Sequence, residues 1–229
     1  STGSMISVRK CEACGELAGH RDLHLALKVL GFSDWRYTSG YIIGKPAHSP
    51  PLFWHFDWAA WDHPFSYGRM PLQLFIMVYL VDTNLRNGCL RVIPGSHQHW
   101  VTQHDTGGHD EGTRHEDPAA SPAYADSPDQ IDVAITAGDL LIGDARILHA
   151  PHANQTDERR TVITMWYLPR FDELPEPMQA AFQSRLNMIP PSDLPDEQTR
   201  RIAPLNPDYS GDAESAEWDR NAGAVLKGR

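Results

Sequence analysis

The stretch FWHFDW, residues 53–58, places an imidazole and a carboxylate among aromatic rings. His55 and Asp57 are two positions apart, so both side chains leave the same face of an extended strand. Such a pair is either a buried hydrogen bond between imidazole and carboxylate, or two ligands that converge on a metal ion. The choice between these interpretations depends on whether a third ligand lies elsewhere in the chain.

His149, in the segment DARILHAPHAN, is the best candidate for that third ligand. It lies in a strand-like run and is followed by a turn-rich segment. Two imidazoles and one carboxylate on one side of an ion leave the opposite positions open, as in non-haem Fe(II) oxygenases. This donor set suits iron, although zinc and manganese accept the same ligands.

Arg160 follows His149 by eleven positions, with Arg159 beside it. A strand, a turn of about five residues and a returning strand would place Arg160 next to His149 in an antiparallel pair. A guanidinium there offers a bidentate contact to the far carboxylate of a dicarboxylic cosubstrate whose near end chelates the metal. Arg160 is therefore predicted to anchor a cosubstrate, and Arg159 to lie at the surface.

Short strand-like runs separated by tight turns predict an all-β core. The run PLQLFIMVYLVD (71–82) is apolar at both alternating sets of positions, so both of its faces should be covered. Helical patterns occur only towards the ends, which favours a sandwich or jelly roll with short flanking α-helices. Further strands are predicted at 35–44, 89–93, 131–136, 139–144, 146–150 and 160–168, and helices at 23–30 and 175–186.

The chain is expected to form one domain over residues 1–229. Its barrel core should span about 36–170, and a C-terminal helix and tail should span 174–229, with the segment from Pro204 onward peripheral. Residues 102–130 hold almost no large apolar side chains and many Gly, Pro, Asp and His, which predicts a long loop or lid. The histidines of this loop are expected to be solvated.

Composition narrows the class of partner. The formal net charge of −10 argues against nucleic acid, which needs clustered Lys and Arg. No run approaches the roughly 18 to 20 apolar residues of a membrane span, so no membrane partner is expected. Cys11, Cys14 and Cys89 make no disulfide framework, so a cytoplasmic location and free thiols are expected. A small molecule remains as the expected partner, with the oligomeric state open.

Four motifs occur in a fixed order: His55-x-Asp57, NGCLRVIPGSH (87–97), AGDLLIGDARILHAPHAN (137–154) and Arg160. Their combination resembles the phytanoyl-CoA dioxygenase family. The resemblance implies an Fe(II)- and 2-oxoglutarate-dependent oxygenase on a double-stranded β-helix, a cupin-like jelly roll. It implies that His55, Asp57 and His149 bind iron and that Arg160 binds 2-oxoglutarate. Gln73, the polar residue early in the 71–82 strand, is predicted as a further 2-oxoglutarate contact.

On this resemblance the reaction oxidises a C–H bond of a small, largely apolar molecule, natural-product or lipid-like, and releases succinate and CO2. Asp57 keeps its carboxylate, so hydroxylation, desaturation, epimerisation or ring formation is expected rather than halogenation. Trp54, Trp58 and Trp61 are interpreted either as core residues or as an apolar wall of the substrate pocket.

Two other functions remain as alternatives. One is a metal enzyme on the same barrel that does not use 2-oxoglutarate. The other is a catalytically silent jelly-roll binding module, which the intact metal ligands and the intact arginine argue against.

Overall fold

The computed structural model describes residues 3–106, 109–110, 112–189 and 196–228. Within these ranges the chain is mostly β-sheet with few helices, as the strand pattern predicted. The strands are β1 Ser4–Ser7, β2 Arg36–Lys45, β3 Leu74–Tyr79, β4 Leu90–Val92, β5 Ile131–Val133, β6 Leu140–Asp144, β7 His149–Pro151 and β8 Arg160–Leu168. The α-helices are α1 Glu12–Ala18, α2 Arg21–Val29, α3 Glu176–Asn187, α4 Asp196–Ile202 and α5 Gly223–Leu226. The sequence patterns did not predict β1, α1, α4 or α5.

The larger sheet has the antiparallel order β1, β2, β8, β3, β6. β8 lies at its centre and pairs with both β2 and β3. The sequence of β8, RTVITMWYL, is rich in β-branched and aromatic residues, which suits a strand that is covered on both faces. At the end of the β2–β8 pair, Lys45 lies opposite Arg160.

The smaller sheet has the antiparallel order β5, β4, β7. His55 extends it beyond β7 through a pair of backbone hydrogen bonds. The N–H of His55 donates to the carbonyl of His149 at 3.1 Å, and the N–H of His149 donates to the carbonyl of His55 at 2.9 Å. The FWHFDW stretch therefore continues the smaller sheet at its edge.

The two faces of β3 pack against different layers. Phe75, Met77 and Tyr79 share one apolar cluster with Leu90 of β4, so the two sheets enclose a common core. The alternate residues of β3 pack in a second cluster under α1, α2 and α4. The prediction that both faces of this strand are covered is confirmed.

The predicted pairing of the His149 strand with the Arg160 strand is wrong. β7 pairs with β4 in the smaller sheet, whereas β8 pairs with β2 and β3 in the larger one. The connection between them crosses from one sheet to the other and is held by Asn154, whose amide donates to the carbonyls of Pro46 at 2.9 Å and Glu158 at 2.8 Å. The eleven positions between His149 and Arg160 are typical of a hairpin. A connection that crosses between two sheets needs a similar number of residues, so the spacing does not distinguish the two.

The prediction of a peripheral C-terminal tail is also wrong in part. Ala222 and Leu226 are buried in the large cluster that contains Trp58, and Trp218 packs against it. Asp219 exchanges backbone hydrogen bonds with the segment 59–61. The polar composition of the tail concealed its apolar residues, which recur every fourth position.

No helix among the described residues is both long and apolar enough to cross a membrane. Cys11, Cys14 and Cys89 are free, and Cys14 is buried in the cluster under the larger sheet.

Gly143 of β6 provides a stability test. It pairs with Phe75, and a Cβ atom at Gly143 would lie 2.8 Å from Cε1 of Phe75 and nearer still to Cζ. The Gly143→Ala variant should lower the free energy of unfolding by about 1–3 kcal/mol, because a packed ring must move. Chemical denaturation of the two proteins measures this difference.

Gly112→Ala serves as the matched control, because a Cβ there meets no atom within 4 Å. Equal stability of Gly143→Ala and Gly112→Ala would show that the Phe75 ring has room to shift.

Candidate metal centre

The reciprocal backbone bridge sets His55 and His149 side by side at the rim of the smaller sheet. Their ring centroids lie 4.2 Å apart. Both residues are buried, with 8% and 6% of their surface exposed. Because the bridge belongs to the sheet itself, the two imidazoles are held by backbone geometry rather than by a flexible loop.

A hydrogen bond orients each of these two rings. Nδ1 of His55 lies 3.1 Å from the carbonyl of Phe53, and Nδ1 of His149 lies 3.0 Å from the carbonyl of Ile147. A carbonyl oxygen can only accept, so each Nδ1 carries the proton and each Nε2 keeps a lone pair. Metal-binding histidines are oriented by such bonds from their second nitrogen.

Asp57 completes the group. Its Oδ1 lies 3.9 Å from Nε2 of His55, and its Oδ2 lies 3.7 Å from Nε2 of His149. Trp166 of β8 donates its indole N–H to Oδ2 at 2.8 Å. Trp166 of the larger sheet therefore orients the carboxylate of Asp57, which follows the segment bridged to the smaller sheet. The structure therefore brings together His55, Asp57 and His149, the three predicted ligands.

A fourth group, His109, was not predicted. Its ring centroid lies 4.9 Å from that of His55. One possible ligand atom from each of His55, Asp57 and His109 lies within 4.8 Å of the other two. The expectation that the histidines of the 102–130 loop are solvated is wrong here, and also for His104, which is buried. Loop composition carried no signal that separated His109 from its neighbours.

Burial lowers the pKa of two imidazoles of the site, those of His55 and His109. Burial, followed by the nearby His149 and His109, holds the pKa of His55 well below its ordinary value. Burial, followed by the positive charge of Arg220, lowers the pKa of His109 to about 4. Neutral imidazole is the form that binds metal ions, so these shifts favour ligation over protonation.

Arg160 is a buried cation with no acidic partner among the described residues. Only 4% of its surface is exposed, its Nη2 donates to the carbonyl of Gly88 at 3.0 Å, and its Nε has no hydrogen-bond partner within the described ranges. Arg160 and Trp166 are six positions apart on β8 and so face the same side. A buried charge is costly unless paired, so this guanidinium indicates an anion site.

Lys45 lies beside Arg160 and was missed by the sequence analysis. It pairs with Arg160 across β2 and β8, is 2% exposed, and donates to the carbonyl of Pro50 at 2.6 Å. Burial, followed by the positive charges of Arg160 and Arg91, lowers its pKa to about 7. Among the described residues neither Lys45 nor Arg160 has a carboxylate partner, which strengthens the case for an anion at this end of the site.

Gln73 and the three predicted tryptophans lie in different parts of the structure. Gln73 is buried immediately before β3, and its role as a 2-oxoglutarate contact stays a prediction. Trp54, Trp58 and Trp61 are fully buried in the core. The indole N–H groups of Trp54 and Trp58 donate to Ala125 and Ser66, so these rings pack as core residues. Their role as a substrate wall stays a prediction.

Arg220 of the C-terminal tail interacts electrostatically with Asp57. It follows Asp219, which accepts from the N–H of Trp61 at 3.1 Å and donates to the carbonyl of Ala59 at 2.8 Å. Burial lowers the pKa of Arg220, and the carboxylate of Asp57 opposes that shift. The tail therefore adds positive charge on the side of the site that it covers.

The contact between Trp166 and Asp57 predicts an effect on metal affinity. Trp166→Phe keeps an aromatic ring but removes the only N–H that the ring can donate to the carboxylate. We expect the dissociation constant for Co²⁺, measured by isothermal titration calorimetry, to rise about 10- to 100-fold. Trp35→Phe, remote from the site beside His24, should leave it unchanged.

If both variants bind Co²⁺ like the unmodified protein, the indole does not orient the ligand.

Solved structures with a similar fold were found by comparison. HygX from Streptomyces hygroscopicus, solved with nickel and 2-oxoglutarate, has 18% identity and a TM-score of 0.57; the match covers 75% of this chain and 71% of that chain. The epimerase SnoN, solved with Fe³⁺, alpha ketoglutarate and nogalamycin RO, has 22% identity and a TM-score of 0.54, with 74% and 64% covered. The carbocyclase SnoK from nogalamycin biosynthesis has 22% identity and a TM-score of 0.52, with 73% and 64% covered.

At these identities the likeness shows the fold alone. The chain spans less than two thirds of the length of SnoN and SnoK. The sequence comparison is more specific, because residues 12–162 match the profile described as Phytanoyl-CoA dioxygenase (PhyH). That match takes in the HxD motif, His149 and Arg160, and the chain belongs to the phytanoyl-CoA dioxygenase family.

Proposed function

We propose that the protein is a non-haem Fe(II)- and 2-oxoglutarate-dependent oxygenase that oxidises a C–H bond of a small molecule. The observation that carries this proposal is the convergence of His55, Asp57 and His149. A buried arginine on β8, Arg160, supports it, because this cation has no acidic partner among the described residues. His55, Asp57 and His149 form one part of the site, and Arg160 with Lys45 forms the other.

The donor set fits iron. Two neutral imidazoles and one carboxylate provide a mixed nitrogen and oxygen set with no thiolate, which is the set of mononuclear Fe(II) oxygenases. Zinc and manganese would bind the same atoms, so the donor set alone does not select the metal. The backbone carbonyls of Phe53 and Ile147 orient the rings of His55 and His149, so that Nε2 of each ring keeps a free lone pair. The two rings therefore need little rearrangement to bind a metal ion.

The second part of the site fits an acidic cosubstrate. Arg160 offers a planar guanidinium suited to bidentate binding of a carboxylate, and Lys45 adds a second donor. The apolar residues of β3 and β8 on the inner face exclude water around this contact. When bound, iron with 2-oxoglutarate and dioxygen supplies the oxidant for a C–H bond, and the protein supplies binding and orientation.

The sheet arrangement supports a double-stranded β-helix as the fold. β2, β8, β3 and β6 form four successive strands of the larger sheet, with β1 added at its edge. The smaller sheet has β5, β4 and β7, and a single bridge joins His55 to its edge strand β7. We place one domain over residues 1–229, with a core of about 36–170, a loop at 102–130 and a C-terminal helix and tail at 174–229.

The carboxylate of Asp57 argues against one type of oxidation, halogenation, and leaves the others open. Its carboxylate occupies the position that a halide would need, so halogenation is not part of the proposal. Hydroxylation, desaturation, epimerisation and ring formation all remain compatible with the ligand set. The similar structures are named as an epimerase and a carbocyclase, which favours this range of outcomes over hydroxylation alone.

Two arginines lie near the FWHFDW stretch. Arg114 of the loop lies over the ring of Phe53 at 5.9 Å, and Arg220 of the tail lies near Asp57. Within the described ranges neither arginine forms an ion pair.

The experiment that tests the proposal is anaerobic titration of the metal-free protein with Fe(II) and then 2-oxoglutarate. An absorption band at about 500 nm on adding 2-oxoglutarate would indicate chelation at an open iron site. Iron binding without that band would favour the alternative of a metal enzyme that does not use 2-oxoglutarate. Failure to bind iron at all would favour the silent binding module.

Three variants assign the ligands. His55→Ala and His149→Ala should lose stoichiometric iron, because each removes one of three donors. Arg160→Ala should keep iron and weaken 2-oxoglutarate about 10- to 100-fold, the worth of a charge-assisted hydrogen-bond pair. Equilibrium dialysis with metal analysis measures iron, and the absorption band measures 2-oxoglutarate.

Arg159→Ala is the control for Arg160→Ala, because the neighbouring Arg159 is exposed. Retained iron in the histidine variants, or equal 2-oxoglutarate binding in the two arginine variants, would contradict the assignments.

A further inference from the structure

One side of β8 carries a row of side chains that runs between the two parts of the site. Alternate residues of a strand share one side, and on β8 they include Arg160, Val162, Thr164 and Trp166. Val162 and Trp166 pack in the cluster that the two sheets enclose, so this side is the inner one. Arg160 lies at the anion end of the row, and Trp166, which donates to Asp57, lies at the metal end.

The cross-strand neighbours of Thr164 establish the direction of its side chain. Thr164 lies opposite Tyr41 of β2 and Met77 of β3. Directly opposed residues of an antiparallel sheet point to the same side. Met77 belongs to the enclosed cluster, and the ring of Tyr41 lies 6.0 Å from that of Trp166. The side chain of Thr164 therefore points into the space between the two sheets.

The hydroxyl of Thr164 is a buried polar group without a partner. Thr164 is only 3% exposed, and its Oγ1 forms no hydrogen bond within the described ranges. An unpaired buried hydroxyl costs free energy, so such groups are normally hydrogen-bonded. On the same side of β8 the Nε of Arg160 is unpaired as well. Two unpaired donors in one row indicate a ligand whose acceptor oxygens satisfy both.

The position of Thr164 separates its role from that of Arg160. A strand rises about 3.3 Å per residue, so the Cα of Thr164 is about 7 Å from that of Trp166 and about 13 Å from that of Arg160. Thr164 therefore lies nearer to the residue that orients Asp57. A donor at this position faces the end of a cosubstrate that chelates the metal, whereas Arg160 faces its far carboxylate.

We propose that Thr164 is a cosubstrate-binding residue, whose hydroxyl donates a hydrogen bond to the chelating end of 2-oxoglutarate. This inference rests on the proposed function. Arg160 then selects for a second carboxylate, whereas Thr164 acts on any oxygen chelator at the metal. Removing the hydroxyl should weaken such ligands without a loss of stability, because the free protein gains nothing from an unpaired hydroxyl. A residue that only packs in the core would leave ligand binding unchanged.

The test compares five proteins as full chains: unmodified, Thr164→Val, Thr164→Ser, Arg160→Ala and Thr161→Val. Thr164→Val keeps the branched shape and removes the hydroxyl, whereas Thr164→Ser keeps the hydroxyl. Thr161 lies on the opposite side of β8 and provides the matched control. Calorimetry measures the binding of 2-oxoglutarate and of oxalate to each Co²⁺-loaded protein. Oxalate chelates a metal ion but has no far carboxylate.

We expect Thr164→Val to weaken 2-oxoglutarate and oxalate alike, each about tenfold, which corresponds to one hydrogen bond to a charged group. Arg160→Ala should weaken 2-oxoglutarate and leave oxalate nearly unchanged. Thr164→Ser should keep most of the binding of the unmodified protein, and Thr161→Val should keep all of it. Thr164→Val should bind Co²⁺ like the unmodified protein and unfold at the same or a higher denaturant concentration, which excludes a general loss of packing.

Four results would overturn the inference. Equal binding of both ligands by Thr164→Val and the unmodified protein would show that the hydroxyl does not reach the cosubstrate, with the proposed function intact. A loss in Thr164→Val confined to 2-oxoglutarate would assign the hydroxyl to the far carboxylate. Equal losses in Thr164→Ser and Thr164→Val would show that shape matters and not the hydroxyl. Failure of the unmodified Co²⁺-loaded protein to bind either ligand would remove the proposed function as well.

Discussion

The pair of backbone hydrogen bonds between His55 and His149 is the constraint on which the site depends. It joins the segment around His55, which follows β2, to β7, the edge strand of the smaller sheet. Each bond contributes only about 1 kcal/mol to stability. Their effect on geometry is larger, because they fix the separation and direction of two imidazoles before any ligand is present. Preorganised ligands need less ordering when the metal binds.

β8 joins this constraint to the larger sheet. Its residue Trp166 holds the carboxylate of Asp57, and its residue Arg160 lies on the same face near the other end of the strand. Phe75 of the neighbouring strand touches the ring of His149 at 4.8 Å, and the missing side chain at Gly143 leaves space for that contact. The two sheets are therefore coupled through the site, so a change in sheet packing changes the position of metal ligands.

Patterns that act within one strand could be predicted from the sequence. The two-residue spacing of His55 and Asp57 and the double-sided apolar pattern of β3 are of this kind, since side-chain direction alternates regularly. Contacts that depend on which sheet a strand joins could not be predicted, and the supposed pairing of His149 with Arg160 failed for that reason. Nor could Lys45 or His109 be found, because each acquires its neighbours only through tertiary packing.

The two parts of the site differ in charge, and the proposed ligands balance that difference. The carboxylate of Asp57 offsets half the charge of a divalent ion, and a dianionic cosubstrate meets the remaining half together with Arg160. The site is then neutral when Lys45 is neutral, and the pKa of about 7 makes that form accessible. Protonation of Lys45 would leave one excess positive charge in a buried space. An anion beside Lys45 raises its pKa, however, so the cosubstrate stabilises the protonated form on arrival. Arg160, by contrast, stays charged throughout, so it provides the fixed positive charge for a cosubstrate carboxylate.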